Sequence, residues 1–351
     1  YYRSARPLDD AQPLDAAIPA PPPPETATVV ASDGSQILPD RHAPYLYSLV
    51  NVGIITYFHG RGRPPRQETH PALDYPGGDE DNPDEETFVD SGAIVNLRRD
   101  LAEIQRLVET AAQVGNEPHP VLALLDQRLL YWPVGSAGNE EGQRVLYGWQ
   151  KAMSKAAADR SLLAGYIDRP GKRSVMTLLY TLDLLDGALD AETLMERSRQ
   201  PGLTDAHLFR QILREPGQRS KVFVDVSQHN GDFHARDERN EVCFFYFNSG
   251  RRHIARVDVP IWVAKDAKRL EAVHGLIDSQ CQIMGDYPYV LARADELAVV
   301  GYNDRESLDV MIANAMNRQG LAGRATAKRS GKDVARAGRT RHEGLQRRGG
   351  R

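Results

Sequence analysis

Four carboxylate positions are spaced so that they could share one site: Asp33, a glutamate on the first strong helix (Glu103 or Glu109), Asp126 and Asp295. Asp33 closes the β-prone run Thr28-Val29-Val30-Ala31-Ser32 and is followed at once by Gly34-Ser35. Asp126 closes the apolar run Val121-Leu122-Ala123-Leu124-Leu125, and Asp295 falls about two turns into a helix opened by Pro288. An ionised carboxylate at the end of a buried strand must be paired, hydrogen-bonded or bound to metal. Hard oxygen ligands suit Mg²⁺ or Mn²⁺. Two such ions about 4 Å apart can clamp the attacking and leaving oxygens of a phosphodiester. Taken alone, Asp33-Gly34 reads more simply as a strand-to-turn step.

The elements that must position these groups follow from periodicity. A second β-rich stretch spans 45–58. A helix is expected over 97–114, with Leu97, Leu101, Ile104, Val108 and Ala111 on one stripe. Glu103 and Glu109 lie on opposite flanks of that stripe, so only one of them can face the site. Residues 121–125 suit a central strand covered on both faces. Further helices are expected over 140–160, 174–185, 265–283 and 305–318, and a strand over 162–167. Residues 186–217 read as helices and loops. Three strands of an antiparallel meander are expected within 221–227, 241–248 and 253–263. The fold expected is α/β, a mixed sheet flanked by helices with the meander inserted.

Composition narrows the class. The 351 residues are 41% apolar and 26% charged, with a net charge of −4, so any surface for nucleic acid must be local. Cys243 and Cys281 are far apart without metal-ligand spacing, which fits a reducing, cytoplasmic setting. No apolar run approaches the ~20 residues of a membrane span, so no membrane partner is expected. Residues 1–25 end in Pro21-Pro22-Pro23-Pro24 and read as an extended spacer. Residues 58–86 read as a polar insertion loop within a domain covering 26–320. Residues 321–351, rich in Arg, Lys, Gly and Ala, read as a disordered basic tail.

Strand-Asp, helix-Glu, strand-Asp, late-helix-Asp is the order in which a ribonuclease-H-like fold presents metal ligands. Ala31-Ser32-Asp33-Gly34-Ser35, Leu124-Leu125-Asp126 and Tyr287-Pro288-Tyr289 with Asp295-Glu296-Leu297-Ala298 resemble the NurA nuclease family. The segment Leu97-Arg98-Arg99-Asp100-Leu101-Ala102-Glu103-Ile104 resembles that family's arginine-containing helix with its metal-binding glutamate. The resemblance spans about 29–320. It implies a ribonuclease-H-like core and an Mn²⁺-dependent DNA nuclease with 5′-to-3′ exonuclease and single-strand endonuclease activity. It further implies a homodimer that works with the hexameric HerA DNA-translocating ATPase in end resection during double-strand-break repair. Carried over, it makes Asp33, Glu103 and Asp126 metal ligands, prefers Glu103 to Glu109, and places Tyr287 near the site, where its phenol could meet a phosphate. Arg98 belongs to the same helix and is expected at the DNA.

Two departures qualify the resemblance. Asp295 stands where a family histidine is expected; it can ligate a hard ion but cannot move protons as histidine does. Asp126 is followed by Gln127-Arg128 rather than Gly and a small residue, which makes Arg128 a phosphate contact instead. Lys172 and Arg173 are further candidate phosphate contacts, with a solvated loop as the equal alternative. Asp168 reads as a structural turn residue, His229 and His234 as parts of a polar hairpin loop, Arg251-Arg252 as a solvated turn. Phe244-Phe245-Tyr246-Phe247 reads as strand core rather than a base-stacking platform. The rival functions are a nuclease-like scaffold that docks a translocase and, more remotely, an actin-like phosphotransferase, for which no second Gly-rich phosphate loop is visible.

Overall fold

A computed structural model of the chain describes residues 3–40, 46–75, 85–115, 118–133, 140–183, 192, 202–251 and 253–319. Nine strands, β1 (Ser4–Pro7), β2 (Ala27–Ile37), β3 (Ser48–His59), β4 (Arg66–Asp74), β5 (Val121–Leu125), β6 (Leu162–Ile167), β7 (Phe223–Val226), β8 (Val242–Gly250) and β9 (His253–Pro260), form one mixed sheet. Their spatial order is β1-β7-β8-β9-β6-β5-β2-β3-β4. β5 runs parallel to both β2 and β6, and β6, β9, β8, β7 and β1 then follow in antiparallel pairs. The sequence explains the centre: β5 is apolar at every position and buried throughout, as a strand covered on both faces must be.

The helices are α1 (Glu85–Val114), α2 (Glu140–Ala158), α3 (Ser174–Asp183), α4 (Asp205–Ile212), α5 (Gln228–Arg236), α6 (Ile261–Ala264), α7 (Ala267–Met284), α8 (Tyr289–Ala298) and α9 (Tyr302–Arg318). Two compact units can be distinguished. Tyr1–Gly34, Val52–His70 and Leu97–Ala298 form the first; Ser35–Asn51, Pro71–Asn96 and Val299–Arg351 form the second. The first has a large core in which Val29, Ile55, Leu122, Ala164 and Val257 of the strands pack with Leu276 and Leu291 of α7 and α8. The second has a small core of Ile37, Tyr47, Leu49 and Ile312, and the Tyr47 hydroxyl donates to Asp309 at 2.8 Å.

Several expectations change. β2 does not stop at Asp33; it continues through Gly34-Ser35 to Ile37, so Asp-Gly is not a turn here. The 58–86 stretch is not a single loop, because β4 occupies part of it and α1 begins at Glu85, well before residue 97. Residues 1–25 are not a free spacer: β1 pairs with β7, and Ile18 bridges to Arg219. His229 and His234 sit on α5 rather than in a hairpin loop, with the Ser227 side chain capping that helix. The meander is part of the mixed sheet, as expected, and joins it through the β6–β9 pair. Phe244–Phe247 are buried in the core, as expected, and Arg251 forms the β8–β9 turn with a positive φ of 46°. Cys243 and Cys281 are buried free thiols. Tyr45, Arg252, most of 184–201 and the tail from 320 lie outside the described residues.

Candidate active site

The β2–β5 register pairs Ser32 with Leu125. Asp33 and Asp126 are therefore the next residues along this parallel pair: Asp126 lies just past the carboxyl end of β5, and Asp33 lies beside it within β2, which runs on to Ile37. Asp295 arrives on α8, which lies directly on the backbone of β3. A Cβ at Gly53 would stand 2.6 Å from the Ala298 nitrogen and 2.7 Å from the Ala294 oxygen, so this approach requires glycine. The Asp295 carboxyl lies close enough to Asp33 to raise its pKa. The Tyr287 hydroxyl, just ahead of α8, donates to Asp126 Oδ2 at 2.7 Å.

Glu103 reaches the same place from α1. It is only 5% exposed, and a Cβ at Gly34 would fall 2.4 Å from its Oε1. Gly34 thus lets the helix carboxylate close on the strand. Glu109, the alternative on that helix, is exposed and paired with Arg106 at 3.1 Å. Arg99, one turn before Glu103, lies 3.2 Å from its Oε1 and 2.6 Å from Asp100 Oδ1. Gln127 donates from Nε2 to Glu103 Oε2 at 2.9 Å. Tyr131 donates to Asp100 at 2.9 Å.

The electrostatics are those of crowded acids. Burial pushes Asp33 up to about 6; the neighbouring Asp295 carboxyl adds to the rise, against the Gly34 N–H and Arg99. Asp126 reaches solvent on one side, yet burial again raises it to about 6. The charges of Asp33, Asp168 and Asp295 contribute, while Tyr287 opposes. Burial raises Glu103 well above the carboxylate range despite Arg99. Burial would lower Arg99, but Asp100, Glu103 and Asp33 more than reverse that.

Among the described residues, no three His, Cys, Asp or Glu side chains are already arranged around a metal position. The donor chemistry nevertheless fits a hard divalent cation. Asp33, Asp126 and Asp295 offer carboxylate oxygens and raise one another's proton affinity, as acids do when a compensating charge is missing. Glu103 is instead answered by Arg99 and Gln127.

Behind the site lies a second charged cluster. Arg256 donates from Nε to Asp258 Oδ1 at 2.7 Å and from its NH2 nitrogen to Asp225 Oδ2 at 3.2 Å. Lys172 Nζ reaches the same Asp225 oxygen at 2.9 Å. Asp258 Oδ2 accepts the Leu129 N–H at 3.2 Å, and Trp149 Nε1 donates to the Leu129 carbonyl at 2.9 Å. This cluster anchors the segment that carries Asp126 and Gln127.

The expected phosphate contacts divide. Arg128 is exposed beside Asp126, and Arg173 is partly exposed. Arg98 is paired with Glu141 at 3.1 Å, and Lys172 is turned inward to Asp225, against its expected place at a phosphate. Asp168 is a turn residue paired with His253 at 2.9 Å. Sequence reasoning passed over Arg99 as a separate group, although its i,i+4 spacing to Glu103 marks a shared face. Gln127 carried no signal of its own.

The sheet order, with its central parallel strands β2, β5 and β6 and the carboxylates carried on β2 and just past β5, is that of a ribonuclease-H-like α/β fold. The NurA domain family model matches residues 27–300, and the chain belongs to the NurA family. Among solved structures it is similar to the NurA nuclease from Sulfolobus solfataricus, at 12% identity over 87% of each chain, with a TM-score of 0.49. A second NurA structure is similar at 12% identity, covering 87% of this chain and 92% of that one, with a TM-score of 0.44. The catalytic domain of human endonuclease V follows at 13% identity over 84% of each chain, with a TM-score of 0.32. None of the curated proteins matches the chain. Among the described residues, no helix is long and apolar enough to cross a membrane.

Proposed function

We propose that this chain is a metal-dependent DNA nuclease, hydrolysing phosphodiesters as a 5′-to-3′ exonuclease and single-strand endonuclease. The observation that carries the reading is the convergence of Asp33 on β2, Asp126 just past β5 and Asp295 on α8 in a chain of the NurA family. A bound Mn²⁺ or Mg²⁺, one ion or two, would supply Lewis acidity and charge compensation at the phosphodiester. Asp33, Asp126 and Asp295 would hold it. Tyr287 fixes the Asp126 carboxylate through its 2.7 Å hydrogen bond. Arg99 and Gln127 orient Glu103 at the edge of the cluster, and exposed Arg128 would meet a DNA phosphate. Family membership also supports a homodimer working with a HerA-type hexameric ATPase in cytoplasmic DNA end resection.

One observation favours a second reading, a scaffold that docks the ATPase: the Asp33, Asp126 and Glu103 carboxylates already accept hydrogen bonds, from the Gly34 N–H, Tyr287 and Gln127. The test is degradation of end-labelled single- and double-stranded DNA with Mn²⁺, Mg²⁺ or EDTA. Metal-dependent cleavage is expected, lost in both Asp33→Ala and Asp126→Ala. Cleavage that survives both substitutions sinks the site. No cleavage even with the ATPase added leaves the scaffold.

A further inference from the structure

Three residues past Leu129 the chain presents Trp132, whose ring stacks on His229 of α5. The centroids are 3.6 Å apart and the planes 21° from parallel. Both side chains are partly exposed. His229 Nδ1 is enclosed and has no hydrogen-bond partner. Burial, then the nearby Arg3 and Arg128, hold the ring's pKa below the usual histidine value against Asp232, so it is a neutral aromatic surface. Arg3 and Arg128 are themselves exposed, and neither has a hydrogen-bonding or ion-pairing partner among the described residues. Packing a loop on a helix explains the stack; it does not explain two open guanidinium groups beside it.

An aromatic surface flanked by cations is the chemistry that holds unpaired nucleobases: rings stack on the base, and arginines meet the backbone. Duplex bases are stacked on each other and do not present these faces. The six residues from Asp126 to Trp132 span at most about 20 Å, so the stack lies within a few nucleotides of the site carboxylates. Phe244–Phe247, the aromatic run most visible in the sequence, is buried and has no such access.

We propose that the Trp132–His229 stack, with Arg128 and Arg3, seats an unpaired base of a single-stranded DNA whose backbone continues to the Asp33–Asp126–Asp295 cluster. This rests on the nuclease reading above and specifies its substrate as a strand with unpaired bases near the scissile bond.

The test is binding of a short oligothymidylate to the full chain in EDTA, read by anisotropy and tryptophan emission. The wild type should bind with quenched emission. Trp132→Phe keeps an aromatic face, so affinity should stay within about twofold while the quench is lost. Trp132→Ala should weaken binding about tenfold, and Arg128→Gln should lower the salt slope by about one. An abasic strand of equal length should bind wild type and Trp132→Ala alike. Unchanged oligothymidylate affinity in Trp132→Ala overturns the proposal, as does an equal loss for the abasic strand. Because binding is read without metal, the two failures separate. An inactive enzyme that still shows the Trp132 effect loses only the cleavage reading, whereas an active one without it loses only the base seat.

Discussion

Two clusters of acids in the larger unit are built to opposite ends. Asp225 and Asp258 are almost wholly buried, yet each is met by a cation: Arg256 bonds both, and Lys172 adds a second charge to Asp225. Burial works against Asp225, but Lys172 and Arg256 hold its carboxyl below the usual range. Asp33, Asp126 and Asp295 are less enclosed, and Arg99, the cation that acts on Asp33, is already engaged by Asp100 and Glu103. Asp33 and Asp126 accordingly rise to about 6. The protein supplies cations to the buried pair and leaves the acids around Asp33 and Asp126 to raise one another's proton affinity.

The comparison breaks first at Arg256. Arg256→Ala would leave Asp225 and Asp258 buried with Lys172 alone, and breaking a buried pair costs about 3–5 kcal/mol. Denaturant unfolding measures this directly. A loss under about 1 kcal/mol would mean that the cluster does not depend on its cation. A smaller effect is expected at Gly34, where a Cβ would meet Glu103 Oε1 at 2.4 Å and Arg99 Cγ at 2.9 Å. Gly34→Ala should cost about 1–3 kcal/mol of stability and reduce cleavage further than its stability loss explains. Thermal unfolding and single-turnover cleavage on the same protein would separate the two. If only stability moved, Glu103 would not belong to the site.

The smallest effect is in pH, and it has opposite signs in the two clusters. Asp33 and Asp126 have folded-state pKa values of about 6, above the ordinary 3.8. Their contribution to the metal-free protein is thus fully present below 3.8 and lost as pH rises through 6. Asp225 has a lowered value, so its contribution is present above 3.8 and lost as pH falls through its folded pKa. Unfolding curves with EDTA between pH 4 and 7 should show a slope that Asp33→Asn flattens. An unchanged slope would remove crowding as the property of the site.

The strands that build the centre were legible to the residue. Val121–Leu125 and Leu162–Ile167 are apolar runs bounded by polar turns, and burial on both faces leaves that mark. The first of these runs puts Asp126 just past β5, and Pro288 marks the start of the helix that carries Asp295. Local signals failed where partners decide. Gly34 looks like a turn but serves a close helix approach. Arg66–Asp74 is a mostly exposed, polar strand without alternation, so its pairing left no trace in composition. Lys172 could be read as a surface cation because nothing near it in sequence announces Asp225, 53 residues away. Periodicity alone left Glu103 and Glu109 open; the resemblance preferred Glu103, and it is Glu103 that faces Gly34.

The family match begins at residue 27, but the sheet begins at Ser4. β1 covers the outer edge of β7, whose own backbone groups would otherwise be a template for another strand. A chain trimmed to the matched region would keep every acid of the site and lose its edge protection. Its first fault would then be aggregation during expression, easily mistaken for a catalytic defect.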